Sequence, residues 1–216
     1  MIKSLPTLLS VLAASFSIAL CAQLRADVVL DLDAAGLSGE ISRTPDKAAV
    51  GQWNANVPLR VEAVQSRRAF VLDGTQQLIS EFALPADFEK KPFTVEGWVL
   101  NQTIEKAETV VAFAPVKGGP GTEFSFSSGP SAGAFRSGFK ATTPFASLPS
   151  ANVWHHLAWT YGGGADATLR VYVDGELDVE RALKFTMAPQ AKVHVGASGE
   201  VDNKGPKKGF SGAVAR

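Results

Sequence analysis

The sequence predicts an all-β domain made of two antiparallel sheets packed face to face. Apolar and polar residues alternate with a period of two in short runs along most of the 216 residues. Gly, Pro, Asn and Asp interrupt these runs at intervals of about a dozen residues, and no long amphipathic helical pattern appears. About a dozen strands are more than one open, twisted sheet holds comfortably, which favours two layers.

The first 26 residues differ from the rest of the chain and are predicted to be a secretory signal peptide. Seventeen of them are apolar and none is acidic. Lys3 provides a positive start, Leu8–Leu20 provides an apolar stretch, and Ala26 or Ala22 provides a small residue before the cleavage site. The uncharged run 4–24 is 21 residues long, so a membrane anchor is the alternative. We expect an exported protein with no membrane span after cleavage.

Composition excludes several classes of protein. The chain has 21 Lys and Arg against 21 Asp and Glu, and removal of Lys3 and Arg25 with the signal peptide leaves 19 against 21. This balance argues against a nucleic-acid binder that acts through a basic face. The one cysteine, Cys21, excludes a disulfide scaffold and multi-cysteine metal motifs. Lipid attachment at Cys21 is disfavoured because Leu20 stands where that processing needs a small residue.

The chain from residue 27 to residue 216 is predicted to form one domain. Its first strand is expected where Val28, Leu30 and Leu32 alternate with more polar residues. Asp174-Gly175 predicts a hairpin with a type I′ turn, because this pair readily supplies two positive φ angles. The further strands are expected at Leu59–Val64, Ala69–Leu72, Gln77–Phe82, Phe93–Leu100, Thr109–Ala114, Glu123–Ser127, Ala134–Phe139, Val153–Tyr161, Leu169–Val173, Leu177–Ala182, Lys192–Val195 and Phe210–Ala215.

Five segments carry a resemblance to a known family. In chain order they are Phe93–Val99, Trp154–Tyr161, Leu169–Gly175, Val193–Gly196 and Phe210–Val214. Together they resemble the LamG-like jelly roll of the concanavalin A-like lectin/glucanase superfamily. The resemblance implies a two-sheet jelly roll outside the cell, acting as a binding module with carbohydrate or extracellular protein partners and joined to other domains.

The closing strand departs from the family pattern. Family members frequently place an acidic residue after its glycine and apolar pair, where this chain has Ala215 and Arg216. A role of that acidic residue beside a rim calcium is therefore not carried over. Because the family's closing strand runs further, we expect the sequence to be truncated within it and to be the N-terminal piece of a longer protein.

A search for catalytic patterns returns no convincing site. Glycoside hydrolases of this fold carry carboxylates at alternate positions of one strand; the run 200–204 approaches this pattern but has lysine in the third acidic place, and it is expected to be a loop. The Gly-x-Ser-x-Gly match at 129–133 lacks the strand and helix that a nucleophile elbow needs. His155 and His156 are neighbours in a strand, so they face opposite sides and cannot share a metal. We expect no enzyme; a glycoside hydrolase or lyase, or a structural spacer, are the alternatives.

A candidate ligand-binding segment surrounds Trp53. An aromatic ring packs against the C–H face of a sugar while amides bond its hydroxyls. Trp53 stands in the turn-like segment 51–56 beside Asn54 and Asn56, so these three residues are candidates for binding a glycan or a glycosylated partner. The remaining tryptophans lie in predicted strands and are expected to fill the core: Trp98, Trp154 and Trp159.

Calcium is the metal that suits this fold best, because loops at the rim of a sandwich offer oxygen ligands. The candidate ligands are Asp73, Glu200, Asp202 and Asn203. Their alternative role is to stabilise turns by hydrogen bonds from backbone N–H groups. Asn101-Gln102-Thr103 also matches the N-glycosylation pattern.

Overall fold

The structure is a computed structural model, and it describes residues 30–48, 51–105, 107–115, 121–127, 133–137, 141–184, 187–199, 201–202 and 205–216. The predicted signal peptide, Glu200, Asn203 and the serine of the Gly-x-Ser-x-Gly match lie outside these residues. The side chain of Asp202 is also outside the description. Among the described residues, no helix is long and apolar enough to cross a membrane.

The described residues form sixteen strands and one short 3₁₀ helix, Phe88–Lys90. The strands are β1 (Gly39–Pro45), β2 (Gln52–Val64), β3 (Arg67–Asp73), β4 (Leu78–Ala83), β5 (Phe93–Asn101), β6 (Thr109–Ala114), β7 (Thr122–Ser125), β8 (Phe135–Ser137), β9 (Ala141–Thr143), β10 (Trp154–Tyr161), β11 (Thr168–Val173), β12 (Glu176–Ala182), β13 (Lys192–Val195), β14 (Val201–Asp202), β15 (Gly205–Pro206) and β16 (Ser211–Ala215).

The sheet folds into two layers that share the long strand β2. The first layer has the order β12-β11-β10-β5-β16-β3-β2, and the second continues β2-β4-β13-β6-β7-β8-β9. Residues 60–64 of β2 pair with β3, whereas Trp53, Asn54 and Ala55 pair with β4. β1 pairs along both halves of β2, with an irregular register between Ile41 and Arg43. These pairings are antiparallel, and the predicted all-β, two-layer fold is confirmed.

Aromatic side chains from facing strands build the core between the layers. The Phe124 ring of β7 lies 4.9 Å from that of Phe113 in β6 and 5.7 Å from that of Trp159 in β10. Phe93 of β5 lies 5.7 Å from Phe113, centroid to centroid. Since β5 and β10 belong to the first layer and β6 and β7 to the second, these contacts join the two sheets. Trp159 is 1% exposed, which confirms its predicted core position.

A second, smaller cluster lies on the outer face of the first layer. Trp98 and Trp154 are half-buried there rather than in the main core. The Arg67 guanidinium carbon lies 3.5 Å from the centroid of Trp98, and Trp154 Nε1 donates to Val64 O at 3.2 Å. The turn between β2 and β3 therefore packs against this cluster, whose members are Val64, Ala69, Trp98, Leu100, Trp154, Ala213 and Ala215.

Most predicted strands are present, and two of them, Thr109–Ala114 and Lys192–Val195, have the predicted bounds. The hairpin turn is as predicted, with φ of 52° at Asp174 and 87° at Gly175. The expected first strand is wrong in its described part, because residues 30–33 do not form a β-strand. There the Asp31 N–H instead donates to the side chain of Asp46 at 3.0 Å.

The segment between β13 and β16 lies over the outer face of the second layer. The ammonium of Lys208 binds both carboxylate oxygens of Glu123, at 2.7 and 2.8 Å, and Glu123 is only 2% exposed. Ser198 N–H donates to Lys207 O at 3.2 Å, which closes the segment on itself. This cover buries His194 of β13 completely, although His194 stands on an outward-facing strand position.

Burial lowers the pKa of His194 from 6.5 to about 4, because the charged imidazolium loses its hydration. The ring nitrogens lie 3.2 Å from Gln77 Oε1 and 3.3 Å from Ala114 O, and a neutral imidazole can donate to only one of these oxygens. The unfolded chain therefore binds a proton more readily than the folded chain between about pH 4 and pH 6.5. The contribution of neutral His194 to the free energy of unfolding is therefore complete above about pH 6.5, and it is lost as the pH falls toward 4.

We expect the free energy of unfolding to fall by about 2 kcal/mol between pH 7.5 and pH 5 through His194 alone. Urea unfolding at a series of pH values measures it, with His194→Gln as the comparison because glutamine is polar and does not titrate. The variant should lose this part of the pH dependence. Parallel pH profiles for the two proteins would refute the assignment.

Candidate functional site

The structure separates the three residues of the predicted ligand-binding segment. Trp53 is 2% exposed and its Nε1 donates to Asp46 Oδ2 at 2.8 Å, so its ring has no free face for a sugar. This burial removes Trp53 from the candidates. Asn56 bridges two segments, because its Nδ2 donates to Thr75 O at 3.0 Å and its Oδ1 accepts from Gln77 N–H at 2.7 Å. Asn54 is exposed beside Arg43, its partner in β1.

A cleft does lie on this segment, on the opposite side of β2 from Trp53. We call it the edge cleft; it has a volume of about 380 Å³. Because successive side chains of a strand point to opposite faces, the burial of Trp53 directs Gln52 and Asn54 outward. The residues that line the edge cleft come from β1, β2 and β4 and the turn before β2: Arg43, Thr44, Pro45, Gly51, Gln52 and Glu81.

The edge cleft combines one cation, one anion and one amide on an open surface. Arg43 and Glu81 are exposed and Gln52 is half-buried. A Cβ at Gly51 would lie 3.3 Å from Glu81 Oε2, and Gly51 has a φ of 146°, so glycine suits the close approach of this carboxylate. The Thr44 hydroxyl, which belongs to another lining residue, is buried without a hydrogen-bond partner in the described structure. The cleft therefore offers three planar hydrogen-bonding groups: a positively charged guanidinium, a negatively charged carboxylate and a neutral amide.

A second cleft, of about 550 Å³, lies beside the start of β16. Its lining is Gln102, Thr103, Glu105, Ala107, Glu108, Gly209 and Ser211. Glu108 is 2% exposed, and its carboxylate accepts from Asn101 Nδ2 and Glu105 N–H, each at 2.7 Å, and from Ser211 N–H at 3.2 Å. These contacts make Glu108 a structural residue that fixes the loop after β5.

Of the four calcium candidates, only Asp73 has a side chain within the described residues. Asp73 Oδ1 accepts from Thr75 N–H at 2.9 Å and from Thr75 Oγ1 at 2.7 Å. The Thr75 hydroxyl and N–H lower the pKa of Asp73, as expected for a carboxylate that stabilises a turn. Asp202 lies in β14. Within the described ranges, no three Asp, Glu, His or Cys side chains are grouped as metal ligands.

His155 and His156 face opposite sides of β10, as the alternation in the sequence predicts. His155 is 9% exposed and stands edge-on to Phe126 at 5.9 Å, at the border of the core. His156 is half-buried on the outer face, where its ring lies 5.3 Å from that of Trp98. The two imidazoles therefore cannot bind one metal ion together.

The strand order defines a two-layer β-sandwich domain of the jelly-roll type, with the edge cleft on its surface. The chain belongs to the concanavalin A-like lectin/glucanases superfamily, whose family model matches residues 73–216, two thirds of the chain. The predicted family is therefore confirmed. The matched region contains Glu81 but begins after Arg43 and Gln52, so the β1 and β2 side of the edge cleft lies outside it.

Solved structures share this fold at low sequence identity. Domain 4 of AbnA, a GH43 extracellular arabinanase from Geobacillus stearothermophilus solved with arabinotriose, is 14% identical, with a TM-score of 0.61 over 82% of this chain and 90% of that domain. A Trypanosoma rangeli sialidase is also 14% identical, with a TM-score of 0.55; the match covers 87% of this chain and 29% of the sialidase. Comparison with curated proteins gave no match.

Proposed function

We propose that this chain is an exported module that binds an uncharged oligosaccharide in the edge cleft and is non-catalytic toward that glycan. The observation that carries the proposal is the lining of that cleft by Arg43, Gln52 and Glu81. Its volume of about 380 Å³ lies within the range of small-molecule sites. The arabinotriose bound by a domain of the same fold supports an oligosaccharide as the ligand.

The chemistry of the lining suits neighbouring sugar hydroxyls. A guanidinium donates through a planar fork, a carboxylate accepts through two oxygens, and an amide does both. Each can therefore bind a pair of adjacent hydroxyl groups. Arg43 and Glu81 carry opposite charges, so the cleft has no formal charge to attract an ionic ligand. Pro45 adds an apolar wall for the C–H groups of a sugar ring.

The apolar first 26 residues support export, and the resemblance to secreted modules supports a place within a larger secreted or cell-surface protein. In that setting the module would hold its parent protein on a glycan.

β12 does carry carboxylates at alternate positions, at Glu176, Asp178 and Glu180. Two of them are engaged in structural contacts: Asp178 accepts from the N–H groups of Ala146 and Ser147, each at 2.9 Å, and Glu180 binds Arg170 Nε at 2.6 Å. These contacts support a module that does not cleave the glycan.

Arg43→Ala is expected to weaken oligosaccharide binding by about ten- to a hundredfold, because a hydrogen bond to a charged group contributes about 1.5–3 kcal/mol. Calorimetric titration of the purified chain with arabino-oligosaccharides and a panel of neutral polysaccharides measures the dissociation constant. Glu81→Gln keeps the shape and removes the charge, so it should weaken binding less.

Glu105→Gln in the second cleft is the matched control and should leave binding unchanged. If Glu105→Gln weakens binding while Arg43→Ala does not, the ligand occupies the second cleft and the edge-cleft assignment is wrong. A folded chain that retains none of the glycans would refute carbohydrate binding itself.

A further inference from the structure

Three polar side chains, none of which lines either cleft, form a connected row at one end of β10. Ser150, in the loop before β10, has its Oγ 3.2 Å from Nε2 of His155. The other ring nitrogen of His155, Nδ1, lies 2.7 Å from Asp174 Oδ2. Asp174 stands in the turn between β11 and β12. The row therefore joins a hydroxyl, an imidazole and a carboxylate, in that order.

The backbone holds Asp174 in place from two directions. Its Oδ1 accepts from the N–H of His156 at 2.8 Å, and its own N–H donates to His156 O at 2.8 Å. Partial burial raises the pKa of Asp174, but the hydrogen bonds from His155 and from the His156 N–H outweigh it, so the pKa lies below its ordinary value. At neutral pH the group is therefore a fixed carboxylate.

The carboxylate sets the positions of the protons along the row. A carboxylate can only accept, so the proton of neutral His155 lies on Nδ1 and is donated to Asp174. Nε2 then carries a lone pair, and the Ser150 hydroxyl donates to it. This is the arrangement of an acyl-transfer triad: a nucleophile, a general base and a group that orients the base.

Exposure differs along the row: Ser150 and Asp174 are exposed, whereas His155 between them is shielded. Ser150 is exposed, so an ester in solution can reach its hydroxyl. The side chain of His155 is only 11% exposed and stands edge-on to Phe126, which holds the ring in one orientation. The nucleophile is thus accessible while the base is shielded.

We propose that Ser150, His155 and Asp174 form a hydrolytic site for short acyl esters. Ser150 Oγ attacks the ester carbonyl carbon and its proton moves to His155 Nε2. The bond from that carbon to the alcohol oxygen breaks, and the Nε2 proton passes to the departing alcohol. Water then attacks the acyl group on Ser150 and gives a proton to Nε2. The bond to Oγ breaks, the proton returns to Oγ, and a carboxylic acid leaves.

The position of Ser150 favours a small acyl group. Ser150 lines neither of the two clefts described above, so neither of these two would hold an acyl chain attached to it. An acetyl ester needs no such cleft, whatever alcohol carries it. This inference is independent of glycan binding in the edge cleft.

The test uses the purified full chain, a fluorophosphonate reagent and 4-nitrophenyl acetate. We expect the reagent to modify Ser150, as located by peptide mass spectrometry. We also expect Ser150→Ala to lower the rate of acetate release by about 100-fold, the lower end of what a positioned general base contributes. Asp174→Asn should lower the rate as well, because it loses the carboxylate that fixes the imidazole.

Ser147→Ala is the matched control, since Ser147 is an exposed serine of the same loop whose N–H binds Asp178. It should keep full labelling and full activity. Circular dichroism confirms that each variant is folded, and Ser150→Ala changes only an exposed side chain. Labelling spread over surface serines, or equal hydrolysis by Ser150→Ala and Ser147→Ala, would overturn the proposal.

Discussion

Trp159→Ala is expected to lower the free energy of unfolding by about 4 kcal/mol, as large-to-small changes in a packed core do. Trp159 is 1% exposed and contacts Phe124 across the two layers. Its Nε1 also donates to Ala134 O at 2.8 Å, which fixes the segment before β8. The substitution removes the ring contact between the sheets and this hydrogen bond together. A domain with about 5–15 kcal/mol of stability would lose a large part of it.

Urea unfolding followed by circular dichroism measures this loss. Trp159→Phe keeps one aromatic ring in the core but removes the N–H donor and part of the indole volume, so we expect a loss smaller than that of Trp159→Ala. Trp98→Ala is the comparison on the outer face, where the half-buried ring should contribute less, about 1–2 kcal/mol. Equal losses for Trp98→Ala and Trp159→Ala would contradict the assignment of Trp159 as the contact between the layers.

The strands that were predictable are those whose local pattern determines the structure. Thr109–Ala114 and Lys192–Val195 were found because their residues suit a buried strand, and Asp174-Gly175 because few pairs adopt two positive φ angles readily. β1 was missed because most of its residues are exposed, so Gly39–Pro45 shows no apolar face. An edge strand of this kind is held by pairing with β2, which the local sequence does not reveal.

The expected first strand fails for a related reason. Leu30 and Leu32 do pack against the core, as their alternation suggests, yet the backbone between them makes other hydrogen bonds. Asp31 N–H binds Asp46, and Asp31 O accepts from Lys47 N–H. The alternation therefore predicts correctly which side chains are partly buried, but it does not predict the hydrogen-bond partners of the backbone.

The candidate site shows the same division between local and long-range information. The sequence predicts a turn at residues 51–56, in which Trp53 would lie beside its flanking amides. The structure has a strand from Gln52 onward, and a strand places Trp53 and Gln52 on opposite faces. Arg43 and Glu81 of the edge cleft were not predicted, because the pairing of β1 and β4 with β2 brings them there. His155 and Asp174 meet through the register of β10 with β11, which the spacing of the residues does not fix, whereas Ser150 is five residues from His155 in the chain.

Asn101→Asp is expected to destabilise the domain by about 4 kcal/mol, because it would place two carboxylates together in a buried site. Asn101 is 0% exposed. Its Nδ2 donates to Glu108 Oε2 at 2.7 Å and to Phe126 O at 2.6 Å, while its Oδ1 accepts from the N–H groups of Thr103 and Ile104 at 3.0 and 2.9 Å. Aspartate keeps the two acceptor contacts but loses both donors.

Urea unfolding at pH 7 measures the effect, and Asn54→Asp is the control because Asn54 is exposed in β2. The control should change stability by less than about 0.5 kcal/mol. Adding Glu108→Gln to Asn101→Asp restores an amide donor between the two side chains, so the double variant should recover part of the loss. If the double variant is no more stable than Asn101→Asp, repulsion from Glu108 is not the cause.

The same contacts predict whether the glycosylation pattern Asn101-Gln102-Thr103 is used. Attachment of a glycan to Nδ2 would remove one amide hydrogen from a group whose hydrogens are both in use, and would require space where Asn101 is fully buried. Expression in a glycosylating host should therefore give a folded product with no glycan on Asn101, as measured by mass spectrometry. Glycan on Asn101 of a folded chain would contradict the buried network, and with it the expected loss on Asn101→Asp.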